Sequence, residues 1–351
     1  MTSFSKSSAR LKLDFYESGV GDTIVVTFPS GGLGLIDAHP SQYSHRPNIR
    51  DIVQGKILHF VCLTHPHADH GVDLVPVIQE HPNIAEFWHT IFEVPAFIYG
   101  AEQAVNFPSP VREFAAQMNQ DWGEFFFDLL YAVIDRRISR HLLRSDQQPR
   151  LIDGVEVHCI GPDESVQNSY FNAYVKKLND PSVKLPDPNS LSAILALKFG
   201  QAVVLLGADA LKANWVNAAN HYRKRRLAKA CVLKVPHHGA RNSFDLQKHA
   251  ATYLDLCSRN PDAKAVLFAG DAKHPDSSVY EKLRNRTEVF CLSNGLKGKQ
   301  ANANPLRINI PGARAVSAAP VCNPVVSFEI DENAIVATRA GQSCEACAVA
   351  V

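Results

Sequence analysis

The sequence predicts an α/β protein, because short apolar strand-like runs alternate with stretches of helical spacing along most of its 351 residues. Three of these runs end directly in histidine or aspartate, the residue types that hold divalent metal ions. Chemically active residues of α/β proteins commonly follow the carboxyl ends of strands. The pattern therefore predicts a site along one edge of a sheet.

The composition is that of an ordinary globular protein, with 46% hydrophobic and 20% charged residues. The length allows one large or two modest domains, and we interpret residues 1–351 as a single domain. A formal net charge of +1 excludes no class of partner, since a basic surface for nucleic acid would have to be local.

The sequence predicts a soluble, cytoplasmic protein with no membrane partner. No stretch reaches the roughly 20 apolar residues that cross a bilayer, and the first residues lack the apolar segment of a signal peptide. The eight cysteines are scattered, several of them in apolar runs, so a disulfide framework is not expected. Cys344 and Cys347 have Cys-x-x-Cys spacing, which supplies only half of a zinc site.

The first part of the chain is predicted to be a β-meander that leads into further strands. Strands are expected over residues 11–16, 23–28, 33–36, 56–63 and 83–88, with a helix over 72–80. Glycines separate the first three strands and mark tight turns.

Two segments depart from this alternation. Residues from about 95 to 150 have long amphipathic stretches and almost no strand signals, which predicts a helical insertion. Its Phe125-Phe126-Phe127 run is typical of core packing rather than of a ligand site. Residues from about 163 to 189 are rich in Asn, Asp, Ser and Pro and predict a flexible loop or lid.

Strand signals resume after the insertion, with helices between them. Strands are expected over residues 155–160, 192–199, 202–206, 230–235 and 265–268, followed by a hairpin of residues 325–330 and 334–338.

A cluster of metal-binding residue types follows the strand at 56–63. His65, His67, Asp69 and His70 fall within six residues, which neither helix nor strand periodicity explains. Alternation after the strand can present His65 and His67 to one ion, while Asp69 and His70 face a second ion. The alternative is that some of them are solvated loop histidines.

Two later strand ends carry the same residue types. Asp209 follows the strand at 202–206 in a turn, where a carboxylate can bridge two metal ions. His237 and His238 follow the strand at 230–235. Three such strand ends predict a two-metal site.

These segments resemble the metallo-β-lactamase superfamily, and within it the hydrolase domain of ComEC-type DNA-internalisation proteins and their soluble relatives. The similar segments are Ser18 to Thr23, Leu35 to Ala38, Thr64 to Gly71 with its His-x-His-x-Asp-His signature, Asn189 to Ser192, Leu205 to Ala210, Val235 to Ser243 and Gly270 to Pro275. The resemblance implies a metallo-β-lactamase αββα sandwich that carries the helical insertion.

The resemblance also implies a set of ligands for two divalent ions, Zn²⁺ or Mn²⁺. It places His65 and His67 on one ion, Asp69 and His70 on the other, and Asp209 between them. One of His237 and His238 completes the second site, with His238 favoured, and the other contacts the substrate.

This sequence departs from the family pattern at several positions. Ala208 and Ala240 stand where the family usually has Gly and Ser. Many hydrolytic members of the family also have a further histidine ligand for the first metal ion in a Pro-Gly-His turn later in the chain, and the Ile160-Gly161-Pro162 turn has no histidine. One metal site is therefore expected to be three-coordinate. His89 and His158 are possible substitutes, although both lie in apolar strands where core histidines are common.

The function that the resemblance implies is a metal-dependent hydrolase, foremost a phosphodiesterase or nuclease that cleaves DNA or RNA through a metal-activated hydroxide. Asp69, His237, His274 and Asp37 are the candidate catalytic residues. Asp37 would orient a ligand histidine, while His274 and the non-ligand histidine of the 237–238 pair would contact the phosphate or the leaving oxygen.

Three alternatives stay open. The same ions suit a small phosphodiester such as a cyclic nucleotide, or a lactone or thioester. The chain can instead be a partner-dependent subunit of a bacterial defence or signalling complex, antiphage defence included, with a protein partner or second copy docked on the insertion. The basic run Arg223 to Arg226 can track phosphates or be a solvated helix face.

Overall fold

A computed structural model describes residues 9–18, 21–40, 48–91, 124–180, 182–247, 252–259, 262–269, 274–293, 325–332 and 334–340. In this part of the chain, strands β1 to β15 form two sheets. The strands predicted over 11–16, 33–36, 202–206 and 325–330 have those bounds in the structure. Most other predicted strands differ from the observed ones by one to three residues at an end.

The first sheet has eight strands in the order β15-β14-β1-β2-β3-β4-β5-β6. Their bounds are Leu11–Tyr16 (β1), Ile24–Thr27 (β2), Leu33–Ile36 (β3), Leu58–Leu63 (β4), Glu86–His89 (β5), Ser139–Leu142 (β6), Val325–Ile330 (β14) and Ile335–Ala340 (β15). Neighbours from β15 to β3 are antiparallel, while β3 to β6 run parallel. The ends of β3 and β4 therefore lie at the same edge.

The second sheet has seven strands in the order β13-β12-β11-β10-β9-β8-β7. Their bounds are Arg150–Ile152 (β7), Val155–Gly161 (β8), Ile194–Phe199 (β9), Ala202–Leu206 (β10), Val232–Lys234 (β11), Lys264–Ala269 (β12) and Glu288–Ser293 (β13). Strands β10 to β13 are parallel. Their carboxyl ends carry the second half of the predicted site.

Alternate residues of each strand enter different cores, as the two-residue period of a strand requires. In β10, Val204 and Leu206 pack between the two sheets, while Val203 and Leu205 pack against helices on the outer face. The helices are Ile49–Val53 (α1), Ala68–Gly71 (α2), Leu74–Glu80 (α3), Glu124–Asp135 (α4), Glu164–Asn179 (α5), Lys212–Lys224 (α6) and Ser277–Arg284 (α7). Helices α1, α3, α4 and α5 cover the first sheet, and α6 and α7 cover the second. This is the αββα sandwich of the metallo-β-lactamase fold.

More than half of the segment from 163 to 189 is helical, which corrects the prediction of a loop made from its composition. Residues Glu164–Asn179 form helix α5, and a 3₁₀ turn follows at Pro188–Leu191. Tyr170 and Tyr174, four residues apart, bury one face of α5 in the core that covers the first sheet. The other faces of α5 carry Asn and Ser, which are common in turns and loops, and the apolar stripe is narrow. The overall composition of the segment therefore indicated a loop rather than a helix.

The helical insertion is only partly helical over the residues that the structure describes. Helix α4 ends at Asp135, and the next residues form strand β6, which pairs with β5 at the sheet edge. Phe125 and Phe126 are buried, as expected for core packing. Residues 92–123, which include the first half of the predicted insertion, lie outside the described residues.

Candidate metal centre

The described parallel strands bring the predicted residues to one edge of the sandwich. Asp37 follows β3 and Thr64 follows β4 in the first sheet, while Asp209 follows β10 and His238 follows β11 in the second. Because the two sheets pack face to face, the ends of all four strands meet. The site is therefore assembled from both sheets.

His65 and His67 lie side by side in the turn after β4. Nε2 of His65 is 3.1 Å from Nδ1 of His67, and His65 is fully buried. The turn is compact because the backbone N–H of His67 donates to the carbonyl of His65, and that of His70 donates to the carbonyl of His67. This chain path directs three imidazoles into the same small space.

His70 is held by Asp37 on one side and faces Asp209 on the other. Its Nδ1 is 2.7 Å from Oδ2 of Asp37, and its Nε2 is 3.6 Å from Oδ1 of Asp209. Asp37 is itself fixed by the backbone N–H and the hydroxyl of Thr64, at 2.8 and 2.6 Å. Asp37 thus has the geometry of a residue that orients a metal ligand.

Asp209 lies between the histidines of the two sheets. Its Oδ1 faces His70, whereas its Oδ2 is 3.6 Å from Nε2 of His238 and 4.0 Å from Nε2 of His237. Nδ1 of His238 contacts the carbonyl oxygen of Phe268 at 3.1 Å, which fixes the ring. Each oxygen of Asp209 therefore faces a different group of imidazoles.

The donor atoms fit divalent ions. Ligands about 2.1 Å from a shared tetrahedral ion are roughly 3.4 Å apart, close to the observed separations of 3.6 Å. Nε2 of His70 is buried and has no hydrogen-bond partner among the described atoms. Three overlapping sets of ligand atoms, each with its atoms within 4.8 Å of one another, occur among the described residues, and His67 is in none of them. The sets are His65, His70 and Asp209; Asp69, His70 and His238; and Asp22, Asp37 and His70. The residues present are thus suited to metal.

The charge states of His65 and Asp209 suit metal binding, whereas His70 would have to release a proton on binding a metal ion. Burial opposes its charged form, but Asp37 and Asp209 outweigh burial and raise the pKa of His70 well above the usual range. Burial, together with the positive charge of neighbouring groups, places the pKa of His65 well below its usual range, so its ring is neutral. Burial opposes ionisation of Asp209, but His238, His70 and Lys234 outweigh it and hold the pKa well below the usual range. A neutral imidazole and an ionised carboxylate are the forms that ligate metals.

His237, His274 and Asp69 occupy the rim of this cluster. The rings of His237 and His274 are 5.8 Å apart, and the His237 side chain is more exposed than that of His238, at 16% against 7%. His238 belongs to a set of candidate ligands that includes Asp69, whereas His237 belongs to none of the sets found in the described residues. The geometry therefore favours His238 as the ligand.

Neither His89 nor His158 joins a candidate ligand set in the described part of the chain. His89 is buried and stacks on Phe87. His158 contacts Glu156 through Nε2 at 3.1 Å. Both histidines make these contacts within their own strands, and neither replaces the missing ligand among the described residues. The expectation of a three-coordinate metal site therefore stays a prediction.

Two buried charges beside the cluster, Lys234 and Asp22, were not among the predicted site residues. Lys234, the last residue of β11, is fully buried and forms an ion pair with Asp22. Its Nζ also donates to the carbonyl of Ala208 at 2.8 Å and lies 3.5 Å from Oδ1 of Asp209. The signal was present in the sequence as a lone lysine inside an apolar strand.

Backbone strain is concentrated at this site. Seven non-glycine residues in the described part of the chain have positive φ, and four of them are Asp37, Ala208, His237 and His238. Ala208, at φ 43°, occupies the position where the resembling family usually has glycine. Such conformations cluster where a fold positions functional groups.

No family model matches this chain, and neither does any curated protein. Solved structures do match. A point mutant of CmlA beta-hydroxylase is 12% identical, with 80% of this chain and 52% of that chain covered and a TM-score of 0.42. A diphosphatase from the PhnP family is 12% identical, with 80% and 94% covered and a TM-score of 0.37. A protein of unknown function from Enterococcus faecalis is 11% identical, with 71% and 55% covered and a TM-score of 0.35.

The chain spans about half the length of two of these three structures. At such identities and TM-scores the matches add nothing about activity. The αββα sandwich and the histidine and aspartate cluster at its edge define the class of this protein by its fold, a metallo-β-lactamase-fold protein with a candidate metal centre. Among the described helices, none has the length and apolar character needed to cross a membrane.

Proposed function

We propose that this protein is a two-metal phosphodiesterase that cleaves nucleic acid. The observation that carries the proposal is the position of Asp209, whose two carboxylate oxygens face different groups of imidazoles. A carboxylate so placed is suited to bridging two ions, as in hydrolases that act on phosphate esters. When bound, divalent ions supply Lewis acidity, which lowers the pKa of a water ligand and offsets negative charge on the substrate.

The residues of the chain have separate tasks in this proposal. His65, His67, Asp69, His70, Asp209 and His238 hold the ions. Asp37 orients His70 through the 2.7 Å contact with its Nδ1. His237 and His274 lie together at the rim, and each has a buried Nδ1 with no hydrogen-bond partner among the described atoms. Their rings are suited to hydrogen bonds with phosphoryl oxygens.

The choice of nucleic acid over other esters rests on the resemblance of the motifs to ComEC-type hydrolase domains and on the basic residues at the end of α6. The test is cleavage of labelled single- and double-stranded DNA and RNA with added Mn²⁺ or Zn²⁺. Metal content is measured on the same samples. We expect cleavage that a chelator and the His67→Ala substitution both abolish.

His59→Ala is the matched control, because His59 pairs with Asp153 near the start of β4, at the opposite end of the strand from the site. It should cleave like the wild type. A protein that binds two metals yet leaves every nucleic acid intact would contradict the proposal. The small phosphodiesters, the lactones and the partner-dependent subunit would then be tested next.

A further inference from the structure

Two cavities lie along the same face of helix α6. The residues of α6 and its end that line them are Ala213, Asn214, Asn217, His221, Lys224 and Arg225. From Asn214 to Lys224 the polar ones are three to four residues apart, which places them in one row on the helix surface, and Arg225 follows directly. The row is about 17 Å long at 1.5 Å per residue.

The near cavity, of about 160 Å³, begins beside the candidate metal centre. Leu211 lines it and is two residues from Asp209, and Ser190 lines it from the 3₁₀ turn. Oγ of Ser190 is buried without a hydrogen-bond partner among the described atoms. Asn214 joins the two walls by donating to the carbonyl of Ser190 at 2.8 Å. The near cavity is thus small, has apolar walls from Pro162, Val166 and Leu211 beside its polar groups, and begins two residues from Asp209.

The far cavity is larger, about 450 Å³, and carries positive charge. Lys224 and Arg225 line it together with His158 and His221, while its carboxylate, Asp146, is paired with Arg144 at 3.2 Å. The far cavity therefore has cationic side chains available to an anionic group.

Arg225 and His158 hold unsatisfied nitrogens at this cavity. Nη2 of Arg225 donates to the carbonyls of Ser145 and Gln147 at 2.6 and 2.8 Å, which fixes the guanidinium, while Nη1 has no partner among the described atoms. His158 is only 4% exposed, and its Nδ1 likewise lacks a described partner. Buried polar atoms without partners are uncommon, and a bound ion is one of the ways in which their hydrogen bonds are completed.

An ion pair lies between the two cavities. Nε2 of His221, which lines the far cavity, is 3.0 Å from Oδ1 of Asp163, which lines the near one. The cavities therefore lie on either side of this ion pair, along one surface bounded by α6 and by the segment from His158 to Asp163, which we call the α6 groove.

We propose that the α6 groove binds single-stranded nucleic acid, with a backbone phosphate in the far cavity and the strand leading to the metal centre. The row of polar groups that ends in Lys224 and Arg225 suits an extended polyanion, and a single strand is flexible enough to follow the helix surface past the His221–Asp163 ion pair. This proposal rests on the proposed function, because it names the substrate form that the same site receives.

The test is binding of fluorescent oligothymidylates measured by anisotropy in a chelator, so that no cleavage occurs. The variant is Lys224→Glu, on the exposed end of the helix. For an oligonucleotide of about 12 nucleotides we expect Lys224→Glu to bind roughly 5- to 10-fold more weakly than the wild type. The slope of log K against log salt concentration should decrease in magnitude by about the amount that one phosphate contact contributes. A trinucleotide, too short to span the groove, should bind both proteins alike.

Lys56→Glu makes the same charge change at the start of β4, the opposite end from the site. It should bind the longer oligonucleotide like the wild type. Unchanged binding by Lys224→Glu, or an equal loss in Lys56→Glu, would overturn the groove. Displacement of the oligonucleotide by a polyglutamate peptide at equal charge concentration would overturn the nucleic-acid assignment in favour of an acidic protein.

Hydrolysis of bis(p-nitrophenyl) phosphate separates this proposal from the proposed function, because so small an ester needs no groove. A metal-loaded protein that hydrolyses the ester while Lys224→Glu binds oligonucleotide normally retains the proposed function and loses the groove. A protein that leaves the ester intact while Lys224→Glu loses binding retains the groove and loses the phosphodiesterase.

Discussion

Lys234 is the residue on which the buried charges of the site most depend. It is fully buried and stands between Asp22 and Asp209, so it compensates carboxylates that water does not reach. Removing one partner of a buried ion pair leaves an uncompensated charge, at a cost of about 3–5 kcal/mol. We expect Lys234→Met to lower the free energy of unfolding by that amount, as measured by urea denaturation.

Two further variants test whether charge, rather than packing, causes this loss. Lys198→Met removes a lysine from a half-exposed pair with Glu156 and should cost less than about 1 kcal/mol. Adding Asp22→Asn to Lys234→Met removes the unpaired carboxylate and should recover part of the stability. If the double variant is no more stable than the single one, the loss comes from packing.

Ala208 carries strain that a glycine would relieve. Its φ of 43° costs an alanine about 1–2 kcal/mol, whereas glycine adopts this conformation freely but loses about 0.5–1 kcal/mol more backbone entropy on folding. We therefore expect Ala208→Gly to stabilise the protein by about 0.5–1 kcal/mol. Thermal unfolding measures this as a small rise in Tm.

The same substitution inside a helix should have the opposite sign. Ala173 lies within α5, and Ala173→Gly should cost about 1 kcal/mol. A destabilised Ala208→Gly would mean that the methyl group of Ala208 makes contacts worth more than the strain.

At the residue scale, the sequence identified the ligand types but not their surroundings. His65, His67 and His70 were recognisable because metals need those side chains, whatever the rest of the fold. The pairing of Lys234 with Asp22 depends on how two sheets pack, since β11 belongs to one sheet and the turn before β2 to the other. Local patterns do not contain that information.

At the scale of elements, strands with a clear apolar run were predicted well, whereas segments that mix polar and apolar residues were predicted poorly. Strand β10 was predicted to the residue because its apolar run is bounded by turn residues. Helix α5 was missed because its apolar stripe is narrow, and β6 was merged with the helix before it because its half-buried residues alternate weakly. Such edge elements take their structure from the partner they contact.

His158 makes the stability of strand β8 depend on pH. Burial is the main cause that lowers its pKa in the folded protein, while the unfolded chain keeps a value of about 6.5. Above that pH the ring is neutral in both states and has no effect. As the pH falls through about 6.5, the unfolded chain takes up a proton that the folded protein does not, so the free energy of unfolding decreases.

The measurement is the difference in unfolding free energy between the wild type and His158→Gln, taken between about pH 5 and pH 8. Taking the difference cancels the contributions of the other histidines. We expect the wild type to lose stability relative to the variant as the pH falls. A difference that does not vary with pH would show that His158 titrates alike in both states.

At the scale of the whole molecule, the site joins the two sheets at one edge. His65, His67 and His70 come from the first sheet, and Asp209 and His238 come from the second. Elsewhere the sheets are held by apolar packing, in which Phe15 and Phe328 of the first sheet meet Phe268 and Phe290 of the second. A metal bound at the edge would add a polar link between layers that otherwise associate through the hydrophobic effect.

Metal binding should therefore stabilise the whole fold. A ligand that binds only the folded state, at about 100 times its Kd, adds about 2.7 kcal/mol, so Mn²⁺ or Zn²⁺ should raise Tm and a chelator should reverse the rise. Asp209→Asn should lose the shift. Asp262→Asn, an exposed aspartate outside the candidate ligand sets, should keep it.

Phe328→Ala tests whether the rise in Tm on metal addition is independent of the overall stability of the fold. It removes a buried ring from the core between the sheets, at a cost of about 3–5 kcal/mol, without touching a ligand. Its Tm should fall in chelator and in metal alike, and the rise on metal addition should persist because the ligands still converge. If the rise disappears in Phe328→Ala as it does in Asp209→Asn, metal binding depends on the docking of the sheets rather than adding to it.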